Sequence, residues 1–154
     1  MLSIGKNNLF ISDGKGIKSY ISINRVLDFY DADGKNVILI HEKYSTLSTI
    51  FKSRMIQRQT ENPLDYLTSS NLFNIDLVVI EYDIDISNII SLEIPFIIVT
   101  TNEKGFNFRN YDSVYKFESD ELIDYKTKER YNLKDYYKSL VRDRKIDDLF
   151  NDES

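Results

Sequence analysis

Short apolar runs separated by polar connections dominate the middle of the chain: residues 37–40, 75–80, 95–100 and 114–117. Runs of this length with polar ends are the pattern of strands buried on both faces of a parallel sheet. Between the first two, Leu47, Ile50, Phe51, Arg54 and Met55 keep helical spacing behind Ser45 as N-cap, with Lys52, Arg58 and Gln59 on the outside. Glu61-Asn62-Pro63 ends that helix, and Pro63 opens a short second one. Leu133, Tyr136, Tyr137, Leu140 and Val141 form one face of a last helix capped by Asn132. Strand, helix, strand, short crossover and strand is the grammar of a parallel sheet covered by helices.

The N-terminal third reads differently. Leu9-Phe10-Ile11-Ser12 runs into Asp13-Gly14-Lys15-Gly16, a turn signal. Ile17, Ser19, Ile21 and Ile23 then alternate with polar neighbours, residues 26–30 suggest a further strand, and Asp31-Ala32-Asp33-Gly34 turns the chain again. Near the other end, residues 121–131 read as a hairpin in preference to a helix. The expected fold is therefore a single α/β domain. It has a three-layer, Rossmann-like, mostly parallel sheet, preceded by an N-terminal β meander. Residues 1–36 form the β extension, 37–118 the parallel core, 119–150 a C-terminal hairpin and helix, and 151–154 a frayed acidic tail.

Composition narrows the function. With 154 residues, 42% of them hydrophobic, one core can form without disulfides or metal. The chain has no cysteine and a single histidine, which excludes thiolate zinc sites, iron–sulfur clusters and thiol catalysis. A net charge of −5, with basic residues interspersed among acids, argues against duplex nucleic acid as a partner. The apolar runs are too short to span a bilayer, and no secretory stretch opens the chain, so a cytoplasmic protein is expected. Alanine occurs once, whereas Ile, Asn, Asp, Lys and Tyr abound, the mark of an AT-rich genome such as a virus, phage or low-GC bacterium.

In parallel α/β sheets, chemistry gathers at the carboxyl ends of the strands. Those positions hold Glu42, Glu81, Asp83, Thr100 and Lys116, the candidate crevice. Glu42, Glu81, Thr100 and Lys116 resemble the set that ends the strands of response-regulator receiver domains, with Glu81 where the phospho-accepting aspartate belongs. That resemblance implies a degenerate, unphosphorylated version. Leu77–Glu81 resembles a Walker B strand of the P-loop fold, and residues 94–102 look like the strand carrying a polar sensor in the AAA+ family. The chain lacks GxxxxGK[ST], and His41-Glu42-Lys43-Tyr44-Ser45-Thr46 after the run 37–40 has no glycine, which argues against ATP hydrolysis. Glu42 with Asp83 and Asp85 is similar in residue type to the acidic set that holds Mg²⁺ in the Toprim fold.

His41 has no nucleophile-elbow sequence to serve and reads as structural. Phe106 and Phe108, two aromatics in a polar loop, are candidate partner contacts. So are Leu149 and Phe150, in an acidic and apolar tail that looks like the short motifs that dock in hydrophobic clefts, sliding clamps included. The resulting expectation is a non-enzymatic regulatory or scaffolding module, without cofactor, acting through another protein or through self-association. The alternative is a Mg²⁺-dependent phosphotransfer or nuclease enzyme using Glu42, Asp83 and Asp85.

Overall fold

The strand that anchors the sheet is the first one in the chain. The computed structural model describes residues 2–50, 56–68, 72–84 and 92–152. Eight strands are described: β1 (Asn7–Ser12), β2 (Val37–His41), β3 (Ile56–Gln59), β4 (Leu77–Glu81), β5 (Phe96–Thr100), β6 (Ser113–Phe117), β7 (Glu121–Asp124) and β8 (Arg130–Asn132). They form one sheet in the order β3-β2-β4-β5-β1-β6-β7-β8. From β3 to β6 all neighbours are parallel; β6–β7 and β7–β8 are antiparallel. The described helices are α1 (Lys18–Ala32), α2 (Thr46–Ile50), α3 (Pro63–Thr68) and α4 (Leu133–Asp152).

The N-terminal β meander does not exist: β1 lies inside the sheet between β5 and β6, and residues 18–32 are helix α1. The alternation Ile17, Ser19, Ile21, Ile23 overlaps a helical spacing, Ser19, Ile23, Val26, Leu27, Tyr30, and the second pattern prevails. β1 is buried on both faces and needs cover. α1 supplies it by burying Ile23, Val26 and Leu27 against Phe10, Val99 and Phe117. Packing outweighs the strand preference of the isoleucines, valine and tyrosines. Gly34, at φ +81°, ends α1, and the Lys35 amide donates to Tyr30 O at 3.3 Å, a Schellman closure.

The three-layer Rossmann-like class, in receiver-like or P-loop-like form, is also overturned. The sheet is larger, mixed, and antiparallel at its C-terminal end. Only Glu118, Ser119 and Asp120 separate β6 from β7, whereas a parallel return needs a crossover of a dozen residues or more, so β7 must run antiparallel. The chain then turns through residues 125–129, where Asp124 Oδ1 accepts the amides of Lys126 and Thr127 and Lys128 takes φ +68°. The helix expected to run from Leu47 is α2, described over Thr46–Ile50. Residues 51–55 lie outside the described residues, and Arg58 and Gln59 belong to edge strand β3.

Alternation within the parallel strands sends two apolar sets to opposite faces. Phe10, Leu39, Val79, Ile97, Tyr115 and Phe117 pack under α1, Leu47 of α2, and Leu133 and Tyr136 of α4. Leu9, Ile11, Ile40, Ile80, Ile98 and Val114 pack against Leu67 of α3 and Tyr111. Asn8, wholly buried, ties the amino ends of the strands together. Its amide donates to Gly5 O at 2.9 Å and Phe96 O at 2.8 Å, and its oxygen accepts from the Gly5 amide.

Candidate functional site

Because strands β1 to β6 are parallel, their last residues share one edge of the sheet: Ser12, His41, Gln59, Glu81, Thr100 and Phe117. The chain leaves β1 across one face, through α1. It leaves β5 across the other, where Phe106, Phe108 and Tyr111 pack, and reaches β6 on the far side of β1. Connections that diverge from neighbouring strands open a crevice at their carboxyl ends, where ligands of open α/β sheets bind. Here that crevice lies between β1 and β5.

One wall is the loop Asp13-Gly14-Lys15-Gly16-Ile17 entering α1. Gly14 and Gly16 hold φ +70° and +85°, a region that favours glycine. A Cβ on Gly14 would lie 3.9 Å from the Thr101 side chain on the opposite wall. Asp13 Oδ1 accepts the Lys15 amide at 3.0 Å, and Ser12 Oγ accepts the Gly14 amide at 3.3 Å. The buried hydroxyls of Ser12 and Ser19 meet at 2.5 Å, tying the strand end to the helix start. The loop therefore delivers the first turn of a fifteen-residue helix to the crevice. Those amides have no partner within the helix and carry the positive end of its dipole. Lys15 and Lys18 are exposed beside them.

The acids face this loop from β4. Burial pushes the Tyr20 hydroxyl of α1 above its ordinary range, as do the nearby carboxylates of Glu81, Asp83 and Asp13, while a hydrogen bond with Ser12 pulls it down. Asp83 accepts from Thr100 Oγ1 at 2.5 Å, and Thr100 Oγ1 in turn accepts the Asn102 amide at 2.9 Å. Glu81 accepts from the Ser45 hydroxyl and from the Thr46 and Leu47 amides at the start of α2.

Burial nonetheless dominates for Glu81 and raises its carboxyl above 4.5; its hydrogen bonds and His41 only partly offset this. A carboxyl raised by folding binds its proton more tightly in the native state. It therefore costs stability progressively as pH climbs from 4.5 to its raised native value. Glu81→Gln is expected to remove that slope. Chemical denaturation across this window should show wild type losing stability with rising pH relative to the variant.

The predicted site residues are partly brought together. Thr100 and Asp83 are bonded, and both Asp83 and Glu81 lie near Tyr20. Lys116 and Thr100 register with Ile11 from its two sides and so share one face of the sheet, but Lys116 is taken up by Glu103, at 3.1 Å. Burial raises the Glu103 carboxyl, but the bonds from Lys116 and Tyr125 outweigh it and hold it below its ordinary range. Glu42 is exposed, and its carbonyl meets His41 Nδ1 at 2.7 Å. Asp85 lies outside the described residues, and no group of three or more His, Asp or Glu side chains among the described residues is placed to hold a metal ion. Phe106 and Phe108 are half-buried; Phe106 meets Tyr111 edge-on at a ring distance of 6.2 Å, and Phe108 meets Tyr125 tilted at 5.5 Å. Leu149 and Phe150 fall in α4, with side chains outside the described residues.

Sequence reading missed Gly14, Lys15, Gly16, Lys18, Ser19 and Tyr20, which a hairpin assignment had spent on a turn. The signal available was a strand, a Gly-x-Gly loop and the 19, 23, 26, 27, 30 spacing that follows it. The absence of glycine after β2 does not extend to the loop after β1, which holds Gly14 and Gly16 at positive φ. No helix among the described residues is long and apolar enough to cross a membrane. No protein-family model matches the chain, and no curated protein is significantly similar to it.

Proposed function

We propose that this chain is a non-enzymatic regulatory module that holds a phosphate-bearing small ligand at the β1–α1 loop. One observation carries the reading: a loop with two glycines at positive φ enters a helix of four turns at the crevice between β1 and β5. Helix N-termini bind anions through free amides and dipole, and glycines let the backbone approach the phosphate closely. Lys15 adds a cation, and Ser12 with Ser19 fixes the loop. The acids across the crevice support binding rather than turnover. Asp83 is committed to Thr100 and Glu81 to the start of α2, so both brace loops.

The test is thermal unfolding with pyrophosphate or ATP, each with and without Mg²⁺. A ligand at about one hundred times its Kd adds about 2.7 kcal/mol of stability. The expected result is a rise in Tm with either probe and recovery of ATP intact after prolonged incubation. No rise at millimolar pyrophosphate or ATP overturns the binding site, and steady phosphate release overturns the non-enzymatic reading.

A further inference from the structure

We infer that the chain pairs with a second copy of itself through α4, whose basic beginning takes the acidic end of its partner's α4. The observation is a groove of about 470 Å³ between α1 and the first turns of α4, with Tyr137 at its floor and Lys18, Arg25 and Lys134 around it. It continues past Tyr137 to a shallow apolar surface shared with Lys138, Val141 and Arg142. Val141 is 45% exposed, although Leu133 and Tyr136, on the inner stripe of the same helix, are buried in the core. Arg25 lies over the Tyr137 ring at 5.2 Å, and the Tyr137 hydroxyl donates to Ser22 O at 3.0 Å, so the floor is fixed.

Charge identifies the occupant. The whole chain carries −5, yet this face presents five cations, with Asp120 as the acid of the groove lining. Lys134, Lys138 and Arg142 stand four apart on one stripe, where like charges repel. The ion pairs Lys116–Glu103 and Arg130–Glu121 lie elsewhere in the fold. The cations near the start of α4 also oppose the helix dipole, and so do acids near its end. Such a face calls for an acidic segment with a few apolar residues, and the chain's last stretch has that composition. Ile146, Leu149 and Phe150 keep helical spacing there among Asp147, Asp148, Asp152 and Glu153.

The segment cannot reach its own groove. α4 is one helix of twenty residues, about 30 Å long, so its end points away from its beginning. A second copy can bring it there. Lys134 and Lys138 are four apart, as are Asp148 and Asp152. Two α4 helices running antiparallel about a two-fold axis therefore set each basic pair opposite an acidic pair, twice over. A two-fold interface of this kind closes on itself.

Sedimentation velocity of the full chain tests this, without added ligand. The expected result is a dimer that weakens as salt rises from about 50 mM to about 500 mM, as screening requires. Lys134→Glu with Lys138→Glu should give a monomer, and Asp148→Lys with Asp152→Lys should do the same. Mixing the two variants should restore a dimer, because each then supplies the complement of the other, and circular dichroism of the mixture excludes misfolding. A wild-type monomer at about 100 μM, a concentration well above the micromolar range of ordinary association, overturns the inference. So does a dimer that survives both reversals, or a mixture that stays monomeric.

Discussion

Replacing Phe10 with alanine should cost about 3–5 kcal/mol of folding stability, the range for truncating a fully buried phenylalanine. Phe10 is 0% exposed in β1, with Tyr115 edge-on at 6.0 Å and Phe117 at 5.0 Å. Ile23, Val26 and Leu27 of α1 belong to the same core cluster. The deletion therefore opens a cavity beneath α1, at a point where strands on both sides hydrogen-bond to β1 and cannot close in on it. For a domain of this length the loss lowers Tm by about 6–20 °C. The effect separates two pictures of the N-terminus. In a peripheral meander the same change would cost about 1 kcal/mol, the ordinary cost of a point substitution. Urea denaturation of the single variant decides between them, with an unchanged m-value showing that the denatured state is not what changed.

The second large effect is on ligand binding. Lys15→Glu should sharply reduce the pyrophosphate-induced rise in Tm while leaving the unliganded protein's Tm nearly unchanged. The Lys15 side chain is exposed and lies outside the groove between α1 and α4, so reversing it removes no packing. A hydrogen bond to a charged group contributes about 1.5–3 kcal/mol, so losing it weakens binding by at least about tenfold. Isothermal titration with pyrophosphate measures it. An unaltered Kd would mean that the anion binds elsewhere.

Strands buried on both faces were legible because their apolar runs leave no second interpretation. The runs 37–40, 75–80 and 95–100 hold the strands Val37–His41, Leu77–Glu81 and Phe96–Thr100, with bounds shifted by a residue or two. The crevice was half legible. Glu81, Asp83 and Thr100 end strands that parallel order brings together, and Thr100 and Asp83 meet. Lys116 lies on the Ile11 face with Thr100, yet it is engaged by Glu103 from the loop before β6, a pairing across thirteen residues that no strand pattern announces. The first thirty-six residues were misread for a physical reason. Isoleucine and serine at alternate positions from Ile17 to Ile23 satisfy period two and period 3.6 at once over seven residues, and only the continuation through Val26, Leu27 and Tyr30 separates them. In a meander Gly14 and Gly16 are hairpin-turn residues; before a helix they shape a loop that can hold an anion. The C-terminal hairpin was legible in its turn but not in its consequence. A three-residue link forces an antiparallel neighbour onto β6 and carries the sheet beyond the expected class.

The proposed function requires that the loop after β1 cradle an anion. The most direct measurement is a ¹H–¹⁵N correlation spectrum of the assigned protein titrated with pyrophosphate. We predict saturable shifts at the amides of Gly14 to Tyr20, with smaller ones at Thr101 and Asn102 across the crevice. Shifts centred instead on His41 to Tyr44, or no saturable shift at all, would contradict it.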